Sequence, residues 1–197
     1  MKKKFTAFIL GIMIVFAKAQ YSIGDKVADL KFLNPVNNSI VELSNFKTDN
    51  VLVIVFTSHN CPYSRLYEER LTTLIKTFNG KGVTFLYVNP NNAQVSPEDS
   101  PAEIAKVASS GRYAASYLID PDHKAADAFG ATKTPEVFVL KNNAGTFVLR
   151  YKGAIDDNPQ VAKDVSVSFL KNAIEQLVAN TPVTITEKKA SGCMIKR

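Results

Sequence analysis

The sequence predicts an α/β domain, a mixed central sheet between two helical layers, and three stretches carry that expectation. Residues 51–56, Val51-Leu52-Val53-Ile54-Val55-Phe56, are six consecutive apolar positions, four of them β-branched, as in a strand covered on both faces. The run ends in a polar loop, Thr57-Ser58-His59-Asn60-Cys61, and Pro62 opens a helix whose Tyr67, Leu71, Leu74 and Phe78 recur along one face. A second apolar run, 83–88, completes a right-handed β-α-β unit with the first if both strands are parallel. Residues 136–140 and 146–151, joined by Lys141-Asn142-Asn143-Ala144-Gly145, read instead as an antiparallel hairpin. Together these make the sheet mixed.

In chain order, residues 1–19 read as a signal peptide. Lys2, Lys3 and Lys4 precede an apolar stretch, 5–16, that is short for a bilayer span, and Ala17-Lys18-Ala19 offers small residues where a signal peptidase reads. Cleavage leaves residues 20–197 as one domain with a tail over 183–197; a retained anchor is the other reading of the same segment. Export implies a periplasmic or extracellular, disulfide-permissive setting. Losing the four lysines of this segment takes 24 basic residues to 20 against 18 acidic, so the formal charge drops from +6 to +2. No basic stripe interleaved with aromatics is then left for nucleic acid. No later apolar run is long enough to span a membrane.

The mature chain opens with a hairpin, 30–33 and 40–43, around Asn34-Pro35-Val36-Asn37-Asn38, where Asn tolerates positive φ and Pro fixes its own. Asn79 and Gly80 cap the end of the first helix. Residues 96–110 are an insertion with its own helix: Ser100 and Glu103 form a capping box, and Pro101 stands at the first helical position. A strand over 117–119 leads to a helix from Asp120 to Gly130. Thr134-Pro135 then precedes the hairpin, an allowed place for proline at the start of a strand. Residues 153–160 form a polar excursion, and the last helix is expected over 165–178, stopped by Asn180, Thr181 and Pro182.

This arrangement sets Cys61 at a helix N-terminus, beyond the carboxyl end of a strand. Unpaired N–H groups and the positive end of the helix dipole favour a thiolate there, below the free pKa of about 8.5. A thiolate is a nucleophile. The other reading is a buried cysteine used as a small hydrophobe, which sits poorly with polar His59, Asn60 and Ser64 around it. The second cysteine, Cys193, lies 132 positions on. It is open to three readings: a resolving thiol, a structural staple worth about 5 kcal/mol on the chain-entropy model, or a free tail thiol. Lys188, Lys189, Lys196 and Arg197 would favour its ionised form. His59 with Cys61 falls short of a metal site, since the loop has no second cysteine and the only other histidine is His123. Both histidines are expected to be solvated. No phosphate-binding glycine loop or zinc motif is present, so no bound cofactor is expected.

The order hairpin, strand, cysteine-bearing helix, strand, insertion, helix, Thr-Pro, hairpin, helix resembles the thioredoxin fold in its redoxin version. Further landmarks are Ile23-Gly24-Asp25-Lys26-Val27-Ala28-Asp29, Asn60-Cys61-Pro62-Tyr63, Asn89-Pro90-Asn91, Pro97-Glu98-Asp99-Ser100, Ile155-Asp156-Asp157-Asn158 and Gly192-Cys193-Met194-Ile195-Lys196. They look like a peroxiredoxin-like subgroup of the thioredoxin-like superfamily, of the alkyl hydroperoxide reductase and thiol-specific antioxidant type. The resemblance spans residues 23–196.

It implies an exported thiol-disulfide oxidoreductase in which Cys61 attacks a disulfide. Ser64 stands where relatives carry a second cysteine; its hydroxyl can hydrogen-bond a thiolate but cannot form a disulfide. Thr134 and Pro135 match the cis-proline loop that pairs with bound polypeptide and keeps metals from the sulfur. Cys193 then becomes a candidate distal resolving cysteine. A thiol-dependent antioxidant peroxidase is the alternative. Against it, Thr57 lies four residues before Cys61 rather than three, Val53 stands in place of the motif proline, and Thr134-Pro135 occupies the usual place of the arginine that polarises the peroxide. A reading from another class is a non-catalytic envelope binding domain. The implied partners are a thiol, disulfide or peroxide substrate and a reducing partner.

Overall fold

A computed structural model describes residues 20–197; the expected signal peptide, 1–19, lies outside the described residues. The chain begins with β1 (Lys31–Leu33) and β2 (Ile40–Glu42), then β3 (Val51–Phe56), α1 (Pro62–Phe78) and β4 (Val83–Asn89). It continues through α2 (Pro101–Ser109), β5 (Ser116–Ile119), α3 (Lys124–Phe129), β6 (Lys133–Thr134), β7 (Glu136–Asn143) and β8 (Thr146–Gly153). It ends with α4 (Phe169–Val178), β9 (Glu187–Lys188) and β10 (Cys193–Met194). Among the described residues the main sheet has the order β2-β1-β5-β4-β3-β7-β8-β9, and β10 pairs with β6 in a separate two-stranded ribbon.

Six apolar residues in a row leave β3 no face to turn to water, and it lies at the middle of the sheet with every residue 0% exposed. It runs parallel to β4 and antiparallel to β7, so the sheet is mixed as its sequence predicts. Alternate side chains of a strand point to opposite faces. Val51, Val53 and Val55 therefore enter one core with Tyr67, Leu71 and Phe78 of α1 and Leu170, Ile174 and Leu177 of α4. Leu52, Ile54 and Phe56 enter the other with Phe32, Leu43 and Phe129. Each such side chain contributes about 1.5–3 kcal/mol on burial, which holds the carboxyl end of β3 in a fixed place. No helix among the described residues is long and apolar enough to cross a membrane.

Four local expectations are corrected. The hairpin connector shrinks from residues 141–145 to Ala144-Gly145, because Lys141, Asn142 and Asn143 stay paired in β7. The last helix begins at Phe169, not 165. The Val167 carbonyl accepts the Asp157 N–H (3.1 Å) and the Asp157 carboxylate accepts the Ser166 N–H (3.0 Å), so this segment is spent on the preceding loop. Ser100 occupies the N-cap of α2 but its side chain makes no capping bond, and the Glu103 carboxylate is instead taken by Lys106 at 2.6 Å. The helix expected from Asp120 starts at Lys124, with Asp120 accepting the N–H groups of Ala125 (3.2 Å) and Ala126 (2.8 Å) from outside it.

Candidate functional site

The end of β3 delivers the chain to Cys61, which is the N-cap residue of α1, with extended backbone (φ −75°, ψ 121°) and Pro62 behind it. The Cys61 N–H donates to the Ser58 carbonyl (3.1 Å) and its own carbonyl accepts the Arg65 N–H (3.1 Å), so the loop and the first helical turn are closed around it. The first turn of a helix carries N–H groups with no intrahelical partner and the positive end of the dipole, which favour negative charge on the sulfur. A second influence opposes this. The Thr134 carbonyl oxygen lies 3.0 Å from Cys61 Sγ; once the sulfur carries a proton, that oxygen accepts it and favours thiol over thiolate.

Cys61 is joined to Cys193, with Cα atoms 6.0 Å apart. The bridge is made possible by the tail, which folds back so that Cys193 pairs with Thr134 and Met194 with Lys133 in an antiparallel ladder. Gly192 is the residue that permits the approach: a Cβ there would collide with the Thr134 carbonyl. The Thr134–Pro135 peptide bond is cis. Thus Cys61, Cys193, Thr134 and Pro135 all meet at one place. Ser64 lies in the first turn of α1, buried, with its Oγ lacking any hydrogen-bond partner. Thr134 Oγ1 is in the same condition.

A pocket of about 130 Å³ lies beside Pro135, walled by Tyr67, Ile155, Asp156, Phe169 and Ser191 among others. Here the polar excursion of the sequence turns inward. Asp156 is buried and accepts Tyr67 Oη–H (2.8 Å) and Arg70 Nη1–H (2.7 Å), while the Arg70 guanidinium covers the Tyr67 ring at 3.9 Å. Burial, reinforced by the Asp156 carboxylate, pushes the Tyr67 phenol well above its ordinary pKa.

Behind the sulfur is a buried polar hub that the sequence reading missed. Asp99, 2% exposed, accepts hydrogen bonds from Ser58 Oγ, Asn89 Nδ2, Asn91 Nδ2 and Ser96 Oγ, each at 2.8 Å. Asn89, Asn91 and Asp99 were visible only as landmarks of a resemblance, and Ser58 and Ser96 only as members of loops; nothing in their spacing announced one carboxylate collecting four donors. His59 corrects a second expectation. It is 6% exposed rather than solvated, with its backbone N–H and ring Nδ1 at 3.3 and 3.2 Å from Tyr117 Oη. Burial holds its pKa below the ordinary value, with help from Arg112 and against the pull of Asp99. The 3.6 Å approach of Nδ1 to Asp99 is therefore a contact of a neutral imidazole, not an ion pair, at neutral pH. His123 is half-buried at φ 53°, with Nδ1 unpartnered. Arg112, held by Glu68, donates to the His59 carbonyl (3.2 Å), and Arg65 donates to the same oxygen (3.0 Å).

Comparison with known proteins gives the following. The family described as AhpC-TSA: AhpC/TSA family matches residues 23–158. No curated protein matches the chain. Among solved structures, the hypothetical protein SMc02350 from Sinorhizobium meliloti 1021 is 28% identical, over 90% of this chain and 96% of its own, with TM-score 0.79. An uncharacterized conserved protein from Geobacillus kaustophilus is 29% identical, over 90% and 93%, with TM-score 0.80. A putative thiol:disulfide interchange protein DsbE from Chlorobium tepidum is 19% identical, over 81% and 96%, with TM-score 0.56, a likeness of fold.

Proposed function

The chain belongs to the AhpC/TSA family, a thioredoxin-like redoxin group, and from that premise we propose that it is an exported thiol-disulfide oxidoreductase working through the couple Cys61/Cys193. The observation that carries the reading is the bridge itself: two cysteines 132 residues apart meet at a helix N-terminus beside Pro135. Cys61 is the nucleophile. Its thiolate attacks a substrate disulfide R–S–S–R′, forming Cys61–S–S–R and releasing R′–S⁻. The Cys193 thiolate then attacks the Cys61 sulfur, the Cys193–Cys61 S–S bond forms as the S–S bond of the mixed disulfide breaks, and R–S⁻ leaves with the electron pair. The substrate disulfide has gained two electrons and the protein holds the bridge. A dithiol reducing partner returns it to two thiols.

Ser64 is assigned as a hydroxyl donor to the Cys61 thiolate, supported by its buried, unpartnered Oγ in the bridged state. Thr134 and Pro135 are assigned to substrate contact, supported by the backbone pairing that Thr134 makes with Cys193. The export assignment rests on the lysines and apolar stretch of residues 1–19.

The test is the rate of Cys61 alkylation by iodoacetamide against pH in the full chain carrying Cys193→Ser, followed by turnover with a disulfide and with hydrogen peroxide. The proposal expects a thiol pKa below about 8.5 and disulfide turnover in wild type that Cys61→Ser abolishes. A pKa at or above that value, with no turnover, leaves a binding domain; sulfenate formation with peroxide but no disulfide turnover leaves a peroxidase.

A further inference from the structure

The bridge to Cys193 closes the oxidative half of the cycle proposed above, and the way the tail is seated says more than that two sulfurs are joined. Within residues 192–197, Cys193 and Met194 pair antiparallel with β6 and the Ile195 N–H carries the pairing on to Thr132, a mode of seating that any extended polypeptide can use. Each position meets a different surface. Gly192 passes where the Thr134 carbonyl leaves no room for a side chain. Cys193 reaches Cys61. Met194 points outward, 62% exposed. Ile195 is 7% exposed and enters the core that holds Phe56, Phe129 and Ala131, and its N–H donates to the Thr132 carbonyl at 3.1 Å.

The next two residues are read by charge. Lys196 Nζ donates to Glu98 Oε1 (2.8 Å) and Ser96 Oγ (3.2 Å), and its backbone bonds Asn91 Oδ1 (2.9 Å) and the Asn92 N–H (2.8 Å). The Lys196 ammonium, through its bond to Glu98, holds that carboxyl down at about 2. Arg197 pairs with Asp127 and donates to the Ala131 carbonyl at 3.0 Å.

Cys61 is only 4% exposed under this strand, so a polypeptide sulfur reaches it by taking the place of the tail. The tail is tethered, and tethering gives it a high effective concentration. An incoming segment therefore competes by making the contacts that the tail makes.

We infer that the groove between β6 and the loop over residues 91–99 is a sequence-reading polypeptide site for which residues 192–197 are the resident stand-in. Its substrates are proteins presenting a cysteine, in a disulfide, within an extended segment Gly-Cys-x-aliphatic-basic-basic. This rests on the oxidoreductase reading, and it adds what that reading leaves open: the class of substrate.

The test uses the full chain carrying Cys193→Ser, in which Cys61 is the one remaining thiol. Its substrates are synthetic peptides whose cysteine is held as a mixed disulfide with thionitrobenzoate. The Cys61 thiolate bonds to the peptide sulfur, the peptide–thionitrobenzoate bond breaks, and the coloured thiolate leaves with the electron pair. Rates are taken at concentrations where they are first order in peptide, so that competition from the resident tail is common to all. The peptide Ser-Gly-Cys-Met-Ile-Lys-Arg is expected to react at least tenfold faster than versions with Asp for Ile or with Glu for Lys. Adding Glu98→Lys to the protein is expected to reverse the order of the Lys and Glu peptides. The mixed disulfide of glutathione with thionitrobenzoate reports Cys61 itself. If that small disulfide reacts while the three peptides fall within twofold of one another, the groove does not read sequence and the oxidoreductase reading stands. If the small disulfide does not react either, both fall together.

Discussion

Cutting the Cys61–Cys193 bridge is expected to lower the free energy of unfolding by about 5 kcal/mol, the loop-closure entropy of a 132-residue ring at 25 °C. Reduction does not remove the contacts that seat the tail: the β10–β6 ladder, the burial of Ile195 and the Lys196 contacts involve no sulfur bond. The loss therefore falls on the unfolded chain, which gains freedom, rather than on the native one. With a urea m-value of about 2 kcal/mol/M, the midpoint drops by about 2.5 M. The assay is urea unfolding followed by circular dichroism, with and without dithiothreitol, for wild type and Cys193→Ser. The variant should match reduced wild type to within about 1 kcal/mol and ignore the reductant. A reduced wild type whose midpoint stays within about 0.5 M of the oxidised one would refute the reasoning, because a closed ring of this size cannot be opened without that entropy appearing.

Other outcomes follow from the same contacts. Gly192→Val places a side chain against the Thr134 carbonyl, an overpacking that costs about 1–3 kcal/mol; in a glutathione redox buffer the bridged fraction, read by non-reducing mass spectrometry, should fall by roughly tenfold in equilibrium constant. Asp99→Ala strands four buried donors, each costing about 1–3 kcal/mol when unsatisfied, so a loss under about 3 kcal/mol in urea would mean that water repairs the hub. Ser64→Ala should raise the Cys61 pKa by about 1–2 units, the equivalent of one hydrogen bond to a charged group, in iodoacetamide titrations of the Cys193→Ser background; no change would remove Ser64 from the site. His59 is held below its ordinary pKa of 6.5 by burial, so below that pH the unfolded chain takes the proton first. Its contribution to stability is present above pH 6.5 and is lost as pH falls through the folded value, by up to about 1.4 kcal/mol per pH unit. His59→Asn should flatten that limb of the stability profile, and an unchanged slope would assign the acid loss to other groups.

What the sequence made legible was what periodicity and local chemistry encode. The apolar run of β3, the one-sided helix behind it and the antiparallel hairpin each satisfy a rule that acts over a few residues, and all three are present, the hairpin with a shorter turn, Ala144-Gly145, than its polar connector suggests. Cys61 could be placed at a helix start because Pro62 marks it. Contacts between distant segments were not legible. Asp99 carries no sign of its four donors, because Ser58, Asn89 and Asn91 reach it only after the sheet has formed. His59 is buried for a related reason: Tyr117, which binds it, belongs to a strand 58 residues further on. The late start of α4 came from Asp157 capturing Ser166 and Val167, a competition no window over the helix itself contains. The tail was open to three readings because the small cue, Gly192 before Cys193, has meaning only once Thr134 lies opposite.

The covalent ring closed by the two sulfurs takes in every element from α1 to β9 and leaves β1, β2 and β3 on the outside. A protease that nicks the exposed hairpin tip at Asn143 and Ala144 would open that ring without freeing a piece. The two halves would migrate as one band until a reductant reached the sulfurs, and as two afterwards, so limited digestion on a non-reducing gel reads the oxidation state of the protein directly.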